Sequence, residues 1–352
     1  MSARLRSAWL VVVLACPALR AQAAPTLLQR LPMLDAKKVA SVDRGEAVAI
    51  SLETPEKTEI AILGVVRIEV PRAFYVDRAR NLIGFLATGT RSFSGSFGEP
   101  ARLDGVATLA LDPADSKALA KCHPLECDVK LPAAEMEKLR AELAGSHSPA
   151  ARADSLKREW LVAYVNAYRS DSMEETVVYD DTKHPVRSSD AFRALLAEPM
   201  LAGLDAEPFA AMLATPRSAR PAAVASRISW ELDHVSGLKP LLEVLERSMY
   251  SSPARPDVNW MSSKLLYASH YFESQLDFIT VADAPSSPGS SAMYLVILRR
   301  SKFDDLPSGG LFNIRGRAVK KLRDALRTTL SNTRDELGKA YADSAAPAPR
   351  AP

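Results

Sequence analysis

The sequence predicts an α+β protein in which an antiparallel sheet is assembled from both flanks of the chain, interrupted by an α-helical insertion and closed by a long C-terminal helix. Apolar residues alternate with period two near the start and again from Ser226. About a hundred residues between these stretches have helical composition, and a basic amphipathic stretch spans 310–339.

Ahead of the first strand lies an export signal. Arg4 and Arg6 precede an apolar run from Trp9 to Leu14 that continues across Pro17 to Leu19, and Ala21-Gln22-Ala23 supplies small residues at a cleavage spacing. We place the cut after Ala23, so 1–23 is the expected signal peptide and the mature chain is expected to be periplasmic or secreted. The run is shorter than the roughly 20 apolar residues a membrane-spanning helix needs. Val13-Leu14-Ala15-Cys16 offers a rival lipobox reading, in which Cys16 is lipidated and tethers the protein to a membrane. Leu14 at the penultimate position and Pro17 after the cysteine weigh against it. Removing Arg4, Arg6 and Arg20 takes the formal charge from +3 to about zero. A nearly neutral chain is a poor nucleic-acid binder, since phosphates must be neutralised by many basic side chains.

In the first flank, Val48, Ile50 and Leu52 share one strand face, and Ile60, Ile62, Val66, Ile68 and Val70 share another, with Ser51, Arg67 and Glu69 opposite. Pro55 and charged neighbours make the connecting hairpin. Pro71 ends the second strand, and 72–86 reads as a helix carrying Phe74, Val76, Leu82 and Phe85. A glycine and serine cluster over 89–98 then reads as a loop at the mouth of the insertion.

Asp112-Pro113 is an N-cap followed by proline at the first helical position, and 132–143 is rich in Ala, Glu, Lys and Leu. Leu156, Trp160, Tyr164 and Tyr168 fall four apart on one helix face. Phe192, Leu195, Leu196, Phe209, Met212 and Leu213 continue the helical pattern, so 89–225 forms the insertion. Cys122 and Cys127 are the two cysteines left after signal removal, and in an oxidising compartment they are expected to form a local disulfide. The alternatives, a redox pair or a metal site with His123, lack the Cys-x-x-Cys spacing and a fourth ligand.

From Ser226 the short period returns. Ile228, Trp230, Leu232 and His234 alternate with Ser229, Glu231 and Asp233, and further strands are read over 241–250, 258–272, 276–282 and 293–300. Leu241, Leu242, Leu245 and Met249 fit a helix as well as a strand. The final helix carries Ile314, Val319, Leu322, Leu326 and Leu330 on one stripe, which must bury against something, most simply the sheet. Residues 341–352 are expected to be a disordered tail.

No Gly-x-Ser-x-Gly, Walker or dinucleotide-binding motif occurs, and the five histidines are scattered. No catalytic residue, metal site or cofactor is therefore predicted.

The order of strands, helix, interruption, strand meander and long terminal helix resembles a START-like (SRPBCC, helix-grip) domain. Gly64-Val65-Val66-Arg67-Ile68-Glu69-Val70-Pro71-Arg72-Ala73-Phe74 is similar to the opening of such domains. The segments Ser263-Lys264-Leu265-Leu266-Tyr267-Ala268-Ser269-His270-Tyr271-Phe272 and Tyr294-Leu295-Val296-Ile297-Leu298-Arg299-Arg300-Ser301 also resemble an uncharacterised family of exported bacterial proteins. The resemblance covers roughly 45–88 and 226–338. It implies a domain of 24–88 plus 226–340 around the insertion, and a cavity for a lipid or other hydrophobic small molecule. Trp230, His234, Tyr267, His270 and Tyr271 are the expected ligand-binding residues. Two other readings stand beside it: a structural or interaction protein whose cavity is filled, and a cyclase or hydrolase-type enzyme using His270. Arg315, Arg317, Lys320, Lys321, Arg323 and Arg327 could bring the last helix to a membrane surface, although a solvated helix packed on a sheet shows the same pattern.

Overall fold

The computed structural model describes residues 26–80, 91–170, 177–196, 203–204, 206–234, 238–287, 290–306 and 313–345. The signal and lipobox readings, the second half of the helix expected over 72–86, residues 89–90 of the expected loop and the tail from 346 lie outside them.

The architecture is α+β. Eight strands form one antiparallel sheet: β1 (Val48–Leu52), β2 (Glu59–Ile68), β3 (Arg91–Ser96), β6 (Val224–Asp233), β7 (Leu241–Ser251), β8 (Val258–Ala268), β9 (Phe272–Ala284) and β10 (Ala292–Phe303). Their order across the sheet is β1-β2-β10-β9-β8-β7-β6-β3. β6 to β10 are a meander, and the N-terminal hairpin β1-β2 attaches to it through β10, with Gly64 opposite Ile297. A two-stranded ribbon, β4 (Val178–Tyr179) and β5 (Val186–Arg187), lies apart.

Helices cover both faces. The C-terminal helix α8 (Ile314–Ala345) packs on the face carrying Ile60, Ile62, Val66 and Ile68, burying Leu326 and Leu330 there. Its start is tied to the β1-β2 hairpin by Arg315, which donates to Lys57 O at 3.0 Å, and its end meets α2 (Arg72–Ala79) through Phe74 and Tyr341, 5.0 Å apart. It runs to Ala345, past the point at 341 where a disordered tail was expected. The opposite face is covered by α1 (Ala36–Asp43), α6 (Ser188–Leu196) and α7 (Glu207–Ala214) near β2 and β10. Toward β6 it is covered by the insertion helices α3 (Pro113–Leu119), α4 (Ala133–Leu143) and α5 (Pro149–Arg169). β2, expected to have one buried face, is therefore buried on both, which explains why Leu63 and Val65 interrupt its alternation.

Local chemistry matches the sequence at several points. The Asp112 carboxylate caps α3 by accepting from Ala114 N at 2.8 Å, with Pro113 next. The ambiguous segment 241–250 is strand β7, because pairing with β6 and β8 satisfies its backbone on both sides. The expected strand over 258–272 is two strands, broken where Tyr271 takes a positive φ of 66°. The expected loop over 89–98 contains edge strand β3. A Cβ at Gly95 would sit 2.6 Å from the Trp230 indole nitrogen, so glycine here lets the backbone lie against that ring and pair with β6. Cys122 and Cys127 are placed at disulfide distance, with Cα atoms 4.6 Å apart. No helix among the described residues is long and apolar enough to cross a membrane.

Candidate functional site

Side chains alternate across a strand, so the register assigns each residue to the face under α8 or to the face under the insertion. On the α8 face, Met249, Met261, Ile279, Ile297 and Gly64 are in register and make an apolar row across five strands. The adjacent row on the same face is Arg247, Ser263, Asp277, Arg299 and Ile62. Glu231 and Glu243, opposite one another on β6 and β7, extend the charged region toward the sheet edge.

This charged row is buried. Arg247, Asp277, Glu231 and Glu243 are each only 5–6% exposed. Arg299 grips Asp277 with two hydrogen bonds of 2.7 and 2.5 Å, a bidentate geometry in which guanidinium and carboxylate satisfy each other. Arg247 pairs with Glu231 and donates to Ser229 Oγ at 2.5 Å. Glu243 has the like charges of Asp233 and Glu231 beside it. Burial, reinforced by those two carboxylates, pushes its pKa up to about 8. Near neutral pH it holds its proton and can donate a hydrogen bond, while the two arginines present donors in fixed directions. The face thus joins an apolar strip to a polar strip able to recognise ligand oxygens.

The residues singled out from the sequence lie elsewhere. Trp230 and Tyr267 point to the other face, into the core shared with the insertion. Tyr267 reaches that face because the β7-β8 ladder shifts register between Val244 and Leu245, turning both Leu266 and Tyr267 toward the insertion. Trp230 donates to Gly105 O at 2.8 Å. The Tyr267 hydroxyl accepts from Lys157 Nζ at 2.5 Å and donates to Lys130 O at 2.9 Å. His270 is buried with its Nε2 3.0 Å from Asp115 of α3. Tyr271 accepts from Lys239 N at 2.7 Å, and His234 is exposed at the end of β6. Tyr267 and His270 therefore join strand β8 and its following turn to the insertion, while the Tyr271 ring lies 5.6 Å from that of His270 and His234 is exposed.

A second ionisable centre accompanies Tyr267. Lys157 is buried with its ammonium nitrogen 4.3 Å from the Trp160 ring centre and 4.2 Å from that of Tyr267. Burial pulls its pKa down to about 7. It is enclosed among α5, β8 and Lys130, so its partners are protein groups and its role is to anchor the insertion. Among the described residues no group of three or more His, Cys, Asp or Glu is placed to hold a metal ion.

Sequence reasoning missed Glu243, Arg247, Asp277 and Arg299. Their signal was present as charges at alternate positions within otherwise apolar strands, but a polar alternate face reads as solvent-facing until the register is known.

No protein-family model and no curated protein matches the chain. Among solved structures, an uncharacterised protein from Rhizobium leguminosarum aligns at 14% identity over 42% of this chain and 88% of that one, with a TM-score of 0.16. A score that low carries no argument about fold or function.

Proposed function

We propose that this chain is an exported, non-enzymatic binding protein with a START-like, helix-grip domain that takes a lipid or other amphipathic small molecule between α8 and the sheet. One observation carries the reading: the apolar row Met249, Met261, Ile279, Ile297 runs directly beside the buried charged row Arg247, Ser263, Asp277, Arg299 on the same face. An apolar chain along the first row would gain roughly 0.8 kcal/mol per buried CH₂. A polar head could exchange with the carboxylates on Arg247 and Arg299 and accept from protonated Glu243. Methionine suits such a lining because its unbranched side chain repacks around different shapes. The cysteine pair at disulfide distance fits an oxidising compartment.

The binding residues in this reading are those of the α8 face, in place of the aromatic set expected from the sequence. The test is to purify the full chain without detergent and identify by mass spectrometry what is released on denaturation. About one equivalent of an amphipathic compound is the expected result, and Met261→Trp, which fills the apolar row, should lower occupancy severalfold while circular dichroism stays unchanged. A blank that persists after incubation with a membrane lipid extract sinks the proposal.

The interaction-protein reading has its own observation. Phe93 on edge strand β3 is 59% exposed, and Leu103 and Leu125 of the insertion are about half exposed, which leaves apolar side chains at the surface for a partner.

A further inference from the structure

α8 turns one side to the sheet and the other to solvent, and its charge is uneven along its length. Residues 314–327 hold six basic side chains, Arg315, Arg317, Lys320, Lys321, Arg323 and Arg327, against one acid, Asp324. Residues 328–345 hold Arg334 and Lys339 against Asp335, Glu336 and Asp343. This order runs against the helix dipole. The N-terminal end of a helix carries positive potential that acidic side chains offset, yet no acid stands in the first turn of α8 and no base in its last. Arg317 with Lys321, and Arg323 with Arg327, are also like charges four residues apart, a spacing that weakens a helix. The stability of α8 therefore does not explain its charge.

Only part of that charge is used within the protein. Arg315 donates to Lys57 O at 3.0 Å and to Thr54 Oγ1 and Glu59 O at 3.2 Å, which fixes the helix start. Arg323 and Arg327 share Asp324 at 3.6 and 3.5 Å. Arg317, Lys320 and Lys321 are exposed, and their side chains make no hydrogen bond or ion pair among the described residues. The adjoining β1-β2 hairpin adds exposed Glu53 and Glu56 against Lys57, and Glu56 is already held by Lys302 at 2.9 Å. Segments 307–312 and 346–352, on either side of α8 in the chain, contain no acidic residue. Ile314 falls three residues before Arg317 and seven before Lys321, so the three share a helix face, and Ile314 is 41% exposed. An apolar side chain among uncompensated cations suits the surface of a charged bilayer, where cations meet phosphates and the apolar group enters the interfacial layer.

We propose that the outward face of α8 over residues 314–327 docks the protein on an anionic phospholipid surface, with Arg317, Lys320 and Lys321 on the headgroup phosphates and Ile314 in the interfacial layer. A nucleic acid would use the cations but offers Ile314 no apolar layer to enter, which favours the bilayer. The docking face is opposite to the one that packs on the sheet, so it stands separately from the amphipathic-ligand reading.

Cosedimentation with vesicles tests this, using the chain without residues 1–23, which keeps every described residue. Phosphatidylcholine vesicles containing about 30% phosphatidylglycerol should bind it about a hundredfold more tightly than pure phosphatidylcholine, and raising the salt from about 0.1 M to about 0.5 M should remove most of the difference. Arg317→Gln, Lys320→Gln and Lys321→Gln combined should lower binding to the anionic vesicles about a hundredfold, at roughly fivefold per cation, and Ile314→Ser should lower it severalfold. The triple variant should melt no lower than the native chain, since it relieves like-charge repulsion. Equal binding to the two kinds of vesicle, or an unchanged affinity of the triple variant, overturns the proposal. An equal loss on Lys117→Gln, Lys121→Gln and Lys183→Gln combined, three exposed lysines of the insertion, overturns it too by assigning the binding to net charge. Binding that vanishes in Met261→Trp overturns it by assigning the association to uptake into the apolar row. Duplex DNA serves as the second probe: salt-sensitive binding to DNA without binding to vesicles rejects the lipid assignment.

Discussion

Glu243 and Lys157 show how burial sets the behaviour of single residues, and in opposite directions. Glu243 keeps its proton up to about 8 when folded and loses it near the ordinary glutamate value when unfolded. Between those values the native state binds more protons than the unfolded state, so this group's contribution to stability falls as pH rises, by at most about 1.4 kcal/mol per pH unit. Lys157, with a folded pKa lowered to about 7, acts the other way. The unfolded chain binds its proton up to about 10.5, so its contribution to stability rises with pH above about 7. Denaturant melts of Glu243→Gln and the native chain between about pH 5 and pH 8 separate the two: the variant should lose the downward trend and become the more stable protein at the alkaline end. Parallel curves for the two proteins would show that Glu243 ionises normally. None of this was legible in the sequence, where Glu243 fell in a segment readable as helix or strand and the helix face was read from Leu156, Trp160, Tyr164 and Tyr168 alone.

At the scale of elements, the contact between β2 and α8 depends on one glycine. A Cβ at Gly64 would lie 2.7 Å from a Leu330 methyl and 2.8 Å from a Leu326 methyl, both fully buried. The missing side chain lets the helix settle against the strand at this point. Gly64→Val should destabilise the fold by about 2–3 kcal/mol, since a side chain driven against the two leucines forces them off their rotamers. Adding Leu330→Ala should recover part of that loss, a non-additive result in a double-mutant cycle measured by urea denaturation. Additive penalties would mean that α8 does not rest on Gly64. The apolar stripe of α8 and the strand character of β2 were both legible from periodicity. Their meeting point was not, because a glycine inside a strand pattern signals a close approach without saying what approaches.

For the whole molecule, the N-terminal hairpin joins the meander by pairing residues 59–68 with residues 293–302 across the length of the insertion. Long-range pairing of this kind must overcome a large loop-closure entropy before contacts repay it. The Cys122–Cys127 pair does little to reduce that cost, since it closes a loop of five residues' separation within the insertion. In the chain-entropy picture such a loop contributes about 2 kcal/mol. Reduction of this disulfide should therefore lower the Tm by only a few degrees and leave the far-ultraviolet circular dichroism intact. Complete loss of structure on reduction would make the pair an organiser of the insertion and not a local clamp.

The sequence by itself determined the class of the fold, because period-two and period-3.6 patterns follow from backbone geometry alone: strands in both flanks and an amphipathic C-terminal helix stand where periodicity puts them, while edge strand β3 lies in a stretch that reads as loop. It also determined local chemistry such as the Asp112 cap, which depends on neighbours in the chain. Only the tertiary structure decided which alternate face of each strand is buried, and by what. The polar face of β6 and β7 reads as solvated in sequence, yet the fold buries it as a charged row beside the apolar one, while Tyr267 and His270, which read as cavity-facing, are taken up as hydrogen-bonding partners of the insertion. Periodicity assigns residues to faces, but it contains no information about which distant segment covers a face, and burial and ionisation depend on that covering.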